Sequence, residues 1–226
     1  MFDVVPDSYL ADILFHNRVD DRCGITVITQ PPSHVIEAIC LIQKRLSQVI
    51  DSQRLWLTPS ENLHLTLLEL IYNCSQAQVE EVLLQLNERH SLQELLSYIV
   101  SVSPVLHAPK LKLTPSAIIL IFSSKDKPIP LSQYKLLLRD KVQIDLSGYS
   151  VPRYSTTTET GHITLARFIA QIKSSDVQQL ESLVSGINDT LRDLVWHANN
   201  EVNVRSGPVW YGGGHRELAA ANGIRN

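Results

Sequence analysis

Leu63-His64-Leu65-Thr66-Leu67 and Gly161-His162-Ile163-Thr164-Leu165 are the two stretches that decide how this sequence folds. Each sets a histidine two residues before a threonine inside an apolar run. Of the eight histidines in the chain, only these two have threonine at the second position after them. In an extended strand, side chains at i and i+2 share a face. His64 therefore points with Thr66, and His162 with Thr164. Leu65, Leu67, Ile163 and Leu165 point the other way, toward a core. Two such strands lying side by side would bring two imidazoles and two hydroxyls to one cleft.

The surroundings of the two strands run in parallel. Ahead of the first, residues 23–32 (CGITVITQPP) are β-branched and end at Pro31-Pro32, which reads as a strand. Ser33 is placed to cap a helix running to about Asp51, with Val35, Ile36, Ile39, Ile42, Leu46, Val49 and Ile50 at helical spacing. Residues 55–57 form a short strand, 58–60 a turn and 63–72 the first motif strand. A helix over 75–89 carries Val79, Val82, Leu83 and Leu86, and strands follow at 98–106 and 117–123. The pattern then restarts with a helix over 131–146, a polar loop (SGYSVPRYSTTTETG), the second motif strand over 161–170 and a helix over 174–195. Residues 201–214 close it as a strand and a glycine turn. Helix, strand and helix surround a His-containing strand in each half, and no shift in composition marks a linker. The expectation is an α+β fold of one domain spanning 1–226, built as two related lobes, with an N-terminal arm (1–22) and a C-terminal tail (213–226). A chain of 226 residues, 44% of them hydrophobic, is long enough to bury that core.

The convergent set suits the breaking of a phosphodiester. A base must activate the attacking oxygen and an acid must protonate the leaving one, and two histidines near neutral pH can exchange those roles. Charge gathers on the non-bridging oxygens in the transition state, where Thr66 and Thr164 can donate hydrogen bonds. The sequence offers no cluster of carboxylates of the kind a magnesium site uses. The expected scheme therefore needs neither metal nor cofactor.

At these residues the chain resembles the 2H phosphoesterase superfamily, the RNA ligase-like or cyclic nucleotide phosphodiesterase fold, whose hallmark is one His-x-Thr/Ser motif in each of two pseudo-symmetric lobes. HLTL and HITL match in full, HITLAR resembles the form in the 2′,5′ RNA ligase-like branch, and Pro59-Ser60-Glu61-Asn62 before the first motif also fits. The likeness extends in element order over about residues 23–212. It implies a bilobal fold with two antiparallel sheets lining a central cleft and helices outside. It also implies a cyclic nucleotide phosphodiesterase, with His64, Thr66, His162 and Thr164 carrying the hydrolysis of a nucleoside 2′,3′-cyclic phosphate or of an RNA end bearing one. Two rivals stand beside it: a 2′,5′ RNA ligase or 2′-5′ oligonucleotide phosphodiesterase using the same four side chains, and a nucleotide- or RNA-binding module without turnover. The extra N-terminal segment, the hydroxyl-rich loop and the closing Trp-Tyr-Gly-Gly-Gly-His depart from the simple bacterial pattern and bear on the substrate.

Five further residues are candidate substrate contacts. Trp210 and Tyr211 could stack on a base, with glycines behind them that let backbone approach a ligand. Arg153 and Tyr154 open the loop before the second motif. Arg167 belongs to HITLAR, although strict alternation puts it on the face opposite His162 unless a bulge intervenes. Trp56 and Tyr72, which flank the first motif, are expected in the core, Lys110 and Lys112 on a solvated face, and His215 in a solvated tail. The net charge of −3 argues against a protein that coats long nucleic acid. Three cysteines at irregular spacing read as reduced thiols in a cytosolic or nuclear compartment. The absence of a secretory or membrane-length apolar run points to a protein with no membrane partner, and a monomer is expected.

Overall fold

Both motif stretches become strands, and each meets its neighbours in an antiparallel sheet. The computed structural model describes residues 3–88, 91–124, 133–138, 140, 160–191 and 193–216. In chain order the elements are α1 (Ser8–His16), β1 (Cys23–Thr29), α2 (Ser33–Leu46), β2 (Leu55–Leu57), β3 (Leu65–Cys74), α3 (Gln76–Glu88), α4 (Ser91–Ser101), β4 (Val105–Leu113) and β5 (Ala117–Ser123). A helical stretch, α5 (133–138), follows. The chain continues with β6 (Thr160–Phe168), α6 (Ser174–Asn188), β7 (Trp196–His197), β8 (Val202–Gly207) and β9 (His215–Arg216). One sheet has the order β3-β1-β8-β9 and the other β2-β6-β5-β4-β7, with every pairing antiparallel. The two sheets touch where β3 meets β6. This is the bilobal α+β architecture with two antiparallel sheets that the sequence implies.

The helices cover the sheets with apolar stripes. Val35, Ile39, Ile42 and Leu46 of α2 are buried, as are Val79, Val82 and Leu86 of α3 and Val177, Leu180 and Ile187 of α6. They join Leu65, Leu67, Ile163 and Leu165, all fully buried, in one cluster that runs through both lobes. Each such aliphatic side chain is stabilised by roughly 1.5–3 kcal/mol relative to an exposed one, so the residues alternating with the motif hold the strands in register.

Both motif strands bulge at the same place. Val27 and Ile28 of β1 pair with Leu68 and Thr66, leaving Leu67 as the extra residue of β3. Ile118 and Ile119 of β5 pair with Ala166 and Thr164, leaving Leu165 extra in β6. Two successive residues then face the core in each strand, Leu67-Leu68 and Leu165-Ala166, all fully buried. A bulge shifts the alternation by one residue. Its carbonyl in β6 is not left orphaned: Leu165 O accepts from Thr58 N at 2.9 Å and from Gln43 Nε2 at 2.9 Å, and Gln43 also donates to Thr58 O at 2.8 Å.

Several boundaries differ from the sequence expectation. The strand expected at 98–106 lies at Val105–Leu113, and residues 98–101 belong to α4. Leu92, Leu95, Leu96 and Ile99 are all buried at helical spacing, which overrides the β-branched content of Tyr98–Val102. The helix expected to reach 195 stops at Asn188, whose side chain leaves the helix to bond Leu111 N at 2.7 Å and Leu111 O at 3.0 Å. Ser33 is the first residue of α2 rather than its cap; Pro32 occupies that position with no side-chain bond. Residues 201–214, expected as a strand and a glycine turn, form β8 up to Gly207 (φ 88°) and then turn, and His215–Arg216, expected in the tail, return as a short strand beside β8.

Candidate active site

Where β3 and β6 meet, the chain leaves a cleft of about 390 Å³ lined by His64, Thr66, His162 and Thr164. His64 sits one residue before β3, half-buried, between Leu63 and Leu65, which are fully buried. The anchor on either side fixes its direction. Its Nδ1 lies 2.7 Å from Asn62 O and donates to it in the neutral ring. That bond leaves Nε2 as the nitrogen available to a ligand. A close approach supports the carbonyl: Gly212 (φ 78°) lies so near Asn62 that a Cβ on it would fall 2.6 Å from Asn62 O. Only glycine meets both the positive φ and the contact. Arg205 ties the same turn down, with Nη1 donating to Gly212 O at 2.7 Å.

Both imidazoles are held below the ordinary histidine pKa. For His64 the main cause is burial, reinforced by the positive charges of Arg205 and Arg167 and opposed by the bond to Asn62 O. His162 is more open to the cleft. Loss of water to the cleft walls lowers it first, and Lys135, His64 and Arg167 add repulsion. Both rings are therefore mainly neutral at pH 7 in the free protein.

The bulges decide what else faces the cleft. Five residues after each histidine stand Glu69 and Arg167, and both line it. Without the extra residues at Leu67 and Leu165 they would point away. Lys135 of α5 also lines the cleft. Burial raises the pKa of Glu69, and the charge of Lys135 works against that. Burial lowers Lys135 to about 8, and Glu69 works against that in turn. On the other side, Asp7 reaches in from the arm: its Oδ2 lies 3.3 Å from Arg167 Nη1, and its Oδ1 accepts from Tyr211 Oη at 3.0 Å. The same Oδ1 accepts from Leu10 N at 3.0 Å, capping α1. The arm is pinned by Asp7 N donating to Phe168 O at 2.7 Å and by Val5 N donating to Pro115 O at 2.8 Å.

The aromatic wall is formed by Trp56, Trp210 and Tyr211, all of which line the cleft. Tyr211 packs edge-on to Trp56 with centroids 6.1 Å apart. The guanidinium carbons of Arg22 and Arg167 lie 5.2 and 5.3 Å from its ring centre. Burial pushes its hydroxyl up to about 12. Trp210 is 40% exposed and also borders a side chamber of about 70 Å³ that opens past His64, Thr66 and Glu69 toward Thr26 and Tyr72. The hydroxyl oxygens of Thr26 in the chamber and Thr58 in the cleft are buried without a hydrogen-bond partner among the described residues.

The structure thus brings His64, Thr66, His162, Thr164, Arg167, Trp210 and Tyr211 to one cavity. Arg153 and Tyr154 lie outside the described residues. Trp56 and Tyr72, expected in the core, border the cleft and its side chamber, and Tyr72 is 53% exposed. Sequence reasoning missed Glu69, Lys135, Asp7, Asn62 and Thr58. The matching offsets of Glu69 and Arg167 from the two histidines were the one signal on hand for Glu69. Lys110 and Lys112 are exposed, as expected, but lie within β4 rather than between strands, and His215 is exposed in β9. Among the described residues no three His, Cys, Asp or Glu side chains gather where they could hold a metal ion. No helix among them is long and apolar enough to cross a membrane.

A family model described as 2H-phosphodiest, a domain of unknown function (DUF1868), matches residues 15–101, which hold the first motif. No curated protein matches the chain in sequence. Among solved structures, a conserved Agrobacterium tumefaciens protein of unknown function, ATU0111, has the same fold. It is 14% identical with a TM-score of 0.56, over 87% of this chain and 84% of that one. Escherichia coli LigT complexed with ATP is 13% identical with a TM-score of 0.46, over 87% and 94%. Kluyveromyces marxianus Usb1 with uridine monophosphate is 13% identical with a TM-score of 0.43, over 82% and 94%.

Proposed function

We propose that this chain, which is similar to the 2H phosphoesterases, hydrolyses phosphodiesters and acts on nucleoside or RNA-terminal 2′,3′-cyclic phosphates. The observation that carries the reading is the cleft itself: two His-x-Thr pairs from different lobes line one cavity of about 390 Å³. Water attacks phosphorus in line as one imidazole takes its proton. The other imidazole protonates the departing ribose oxygen. Thr66 and Thr164 donate to the non-bridging oxygens, where negative charge grows. The bond from His64 Nδ1 to Asn62 O keeps Nε2 toward the reacting groups, the tautomer that serves a base and, once protonated, an acid.

Incubation with the four nucleoside 2′,3′-cyclic phosphates in the presence of EDTA tests this. At least one is expected to be opened to a nucleoside monophosphate. Inertness of all four under EDTA, reversed by adding a divalent cation, would replace the scheme with a metal-assisted one.

The pH profile offers a second check. Catalysis needs one ring neutral and one protonated, and both lose their protons below the usual histidine value in the free protein. The expected optimum of kcat/KM therefore lies below about pH 6.5, and the rate falls as pH rises beyond it because the acid is lost. Bound phosphate raises the pKa of both rings, so the kcat profile should sit to the alkaline side of the kcat/KM profile. A kcat/KM optimum above pH 7.5 would contradict this electrostatic account.

A further inference from the structure

The two bulges give the cleft a charged residue on each side: Glu69 beyond the first motif and Arg167 beyond the second. Each is matched by an opposite charge from elsewhere in the chain. Asp7 Oδ2 lies 3.3 Å from Arg167 Nη1, and Lys135 lines the cleft together with Glu69, each charge acting on the other. Glu69 and Arg167 thus each have an opposite charge beside them, Lys135 within the lining and Asp7 from behind it, and the formal charges of the two pairs cancel.

We propose that these two balanced pairs make the cleft a charge filter, with Glu69 the residue that sets it: a phosphorus group bearing one negative charge is accepted and one bearing two is disfavoured. The filter rests on the reading of the cleft as a phosphodiester site and names the substrate class more closely. A diester carries a single charge, which one imidazolium neutralises, and that proton is the one the reaction uses. A terminal phosphomonoester loses its second proton near pH 6 and then needs a second cation. Lys135 and Arg167 each already face a carboxylate, so neither supplies that charge without giving up its partner. Hydrolysis turns a singly charged diester into a doubly charged monoester, so the filter also expels the product. Substrates with a terminal phosphate close to the scissile group are excluded on the same ground. The direction of the burial effects agrees, since both Glu69 and Lys135 are shifted as groups facing a confined cavity are.

The test is equilibrium binding of a nucleoside 3′-phosphate and of its methyl ester, which share every group except one methyl and one charge. At pH 7.5 the wild-type chain is expected to bind the methyl ester more tightly, and at pH 5, where both ligands carry one charge, that preference is expected to vanish. Glu69→Gln should tighten the monoester about tenfold and the methyl ester less than threefold. Lys135→Gln should weaken the monoester more than the ester. Melting curves confirm that both variants are folded, and the pH arm needs no variant. If cyclic phosphates are cleaved but Glu69→Gln changes both affinities equally, or the wild-type preference persists at pH 5, the filter alone is overturned. If neither ligand binds and no cyclic phosphate is cleaved, the phosphodiester reading falls and the filter with it.

Discussion

Replacing either His64 or His162 with alanine is expected to lower kcat about 10³- to 10⁴-fold, toward the upper end of what a single proton-transfer group contributes. Each ring handles one of the two protons, and among the described residues lining the cleft the other carboxylate and ammonium groups are engaged with opposite charges. Glu69 faces Lys135, and the nearest carboxylate on the other side, Asp7, is occupied by Arg167, Tyr211 and the cap of α1. The double variant should lose little more than either single one, because the two rings act as a unit. Nucleotide affinity should move less than about threefold, since the remaining ring can still carry the proton that neutralises the diester. Neither change should unfold the chain. His162 is exposed and His64 half-buried, while the strands are held by Leu65, Leu67, Ile163 and Leu165 beneath them. Single-turnover rates on a cyclic phosphate, beside melting curves, would decide it. Rates within tenfold of wild type in either variant would leave the cleft as a binding site without turnover.

The centre of this site was legible because it depends on the simplest rule of strand geometry. A period of two puts His64 with Thr66 and His162 with Thr164, and that holds over three residues whatever the strand does next. The rule failed two residues later. Strict alternation places Arg167 behind the sheet, but the extra residue at Leu165 turns it toward the cleft, and Leu67 does the same for Glu69. A bulge leaves only a faint sequence trace, here the doubled apolar pairs Leu67-Leu68 and Leu165-Ala166, which also read as ordinary core strand. Gln43, which bonds the bulged carbonyl, lies far away in the chain and gave no hint of that partner. Asp7 and Lys135 were hidden for a related reason. Each comes from an element whose contact with the cleft is set by tertiary packing, and no local pattern encodes it. The misplacement of α4 came from competing signals: Tyr98–Val102 have strand composition, but the buried stripe of Leu92, Leu95, Leu96 and Ile99 decides for a helix.

Thr66→Val and Thr164→Val are each expected to lower kcat about 10²- to 10³-fold with little change in KM, the loss seen when one oxyanion donor is removed. Valine keeps the shape and branching of threonine and is at least as good a strand former, so the variants isolate the hydroxyl. Both positions are half-buried on the cleft side. The substitution therefore strands no buried partner, and the melting temperature should hold or rise slightly. The reason to expect an effect on kcat rather than on binding lies in where charge moves. The ground-state phosphate is hydrogen-bonded about equally well by water, whereas the extra charge on the non-bridging oxygens appears only as the new bond forms. A donor fixed on a strand under a packed core meets that charge without reorganising. Serine at either position restores a donor at the same place and should recover most of the rate. That rescue separates a hydroxyl that works on phosphate from one that merely suits a strand. If valine costs less than threefold, or serine is no better than valine, then Thr66 and Thr164 are strand residues and the transition state is stabilised by the imidazolium and the cleft cations alone.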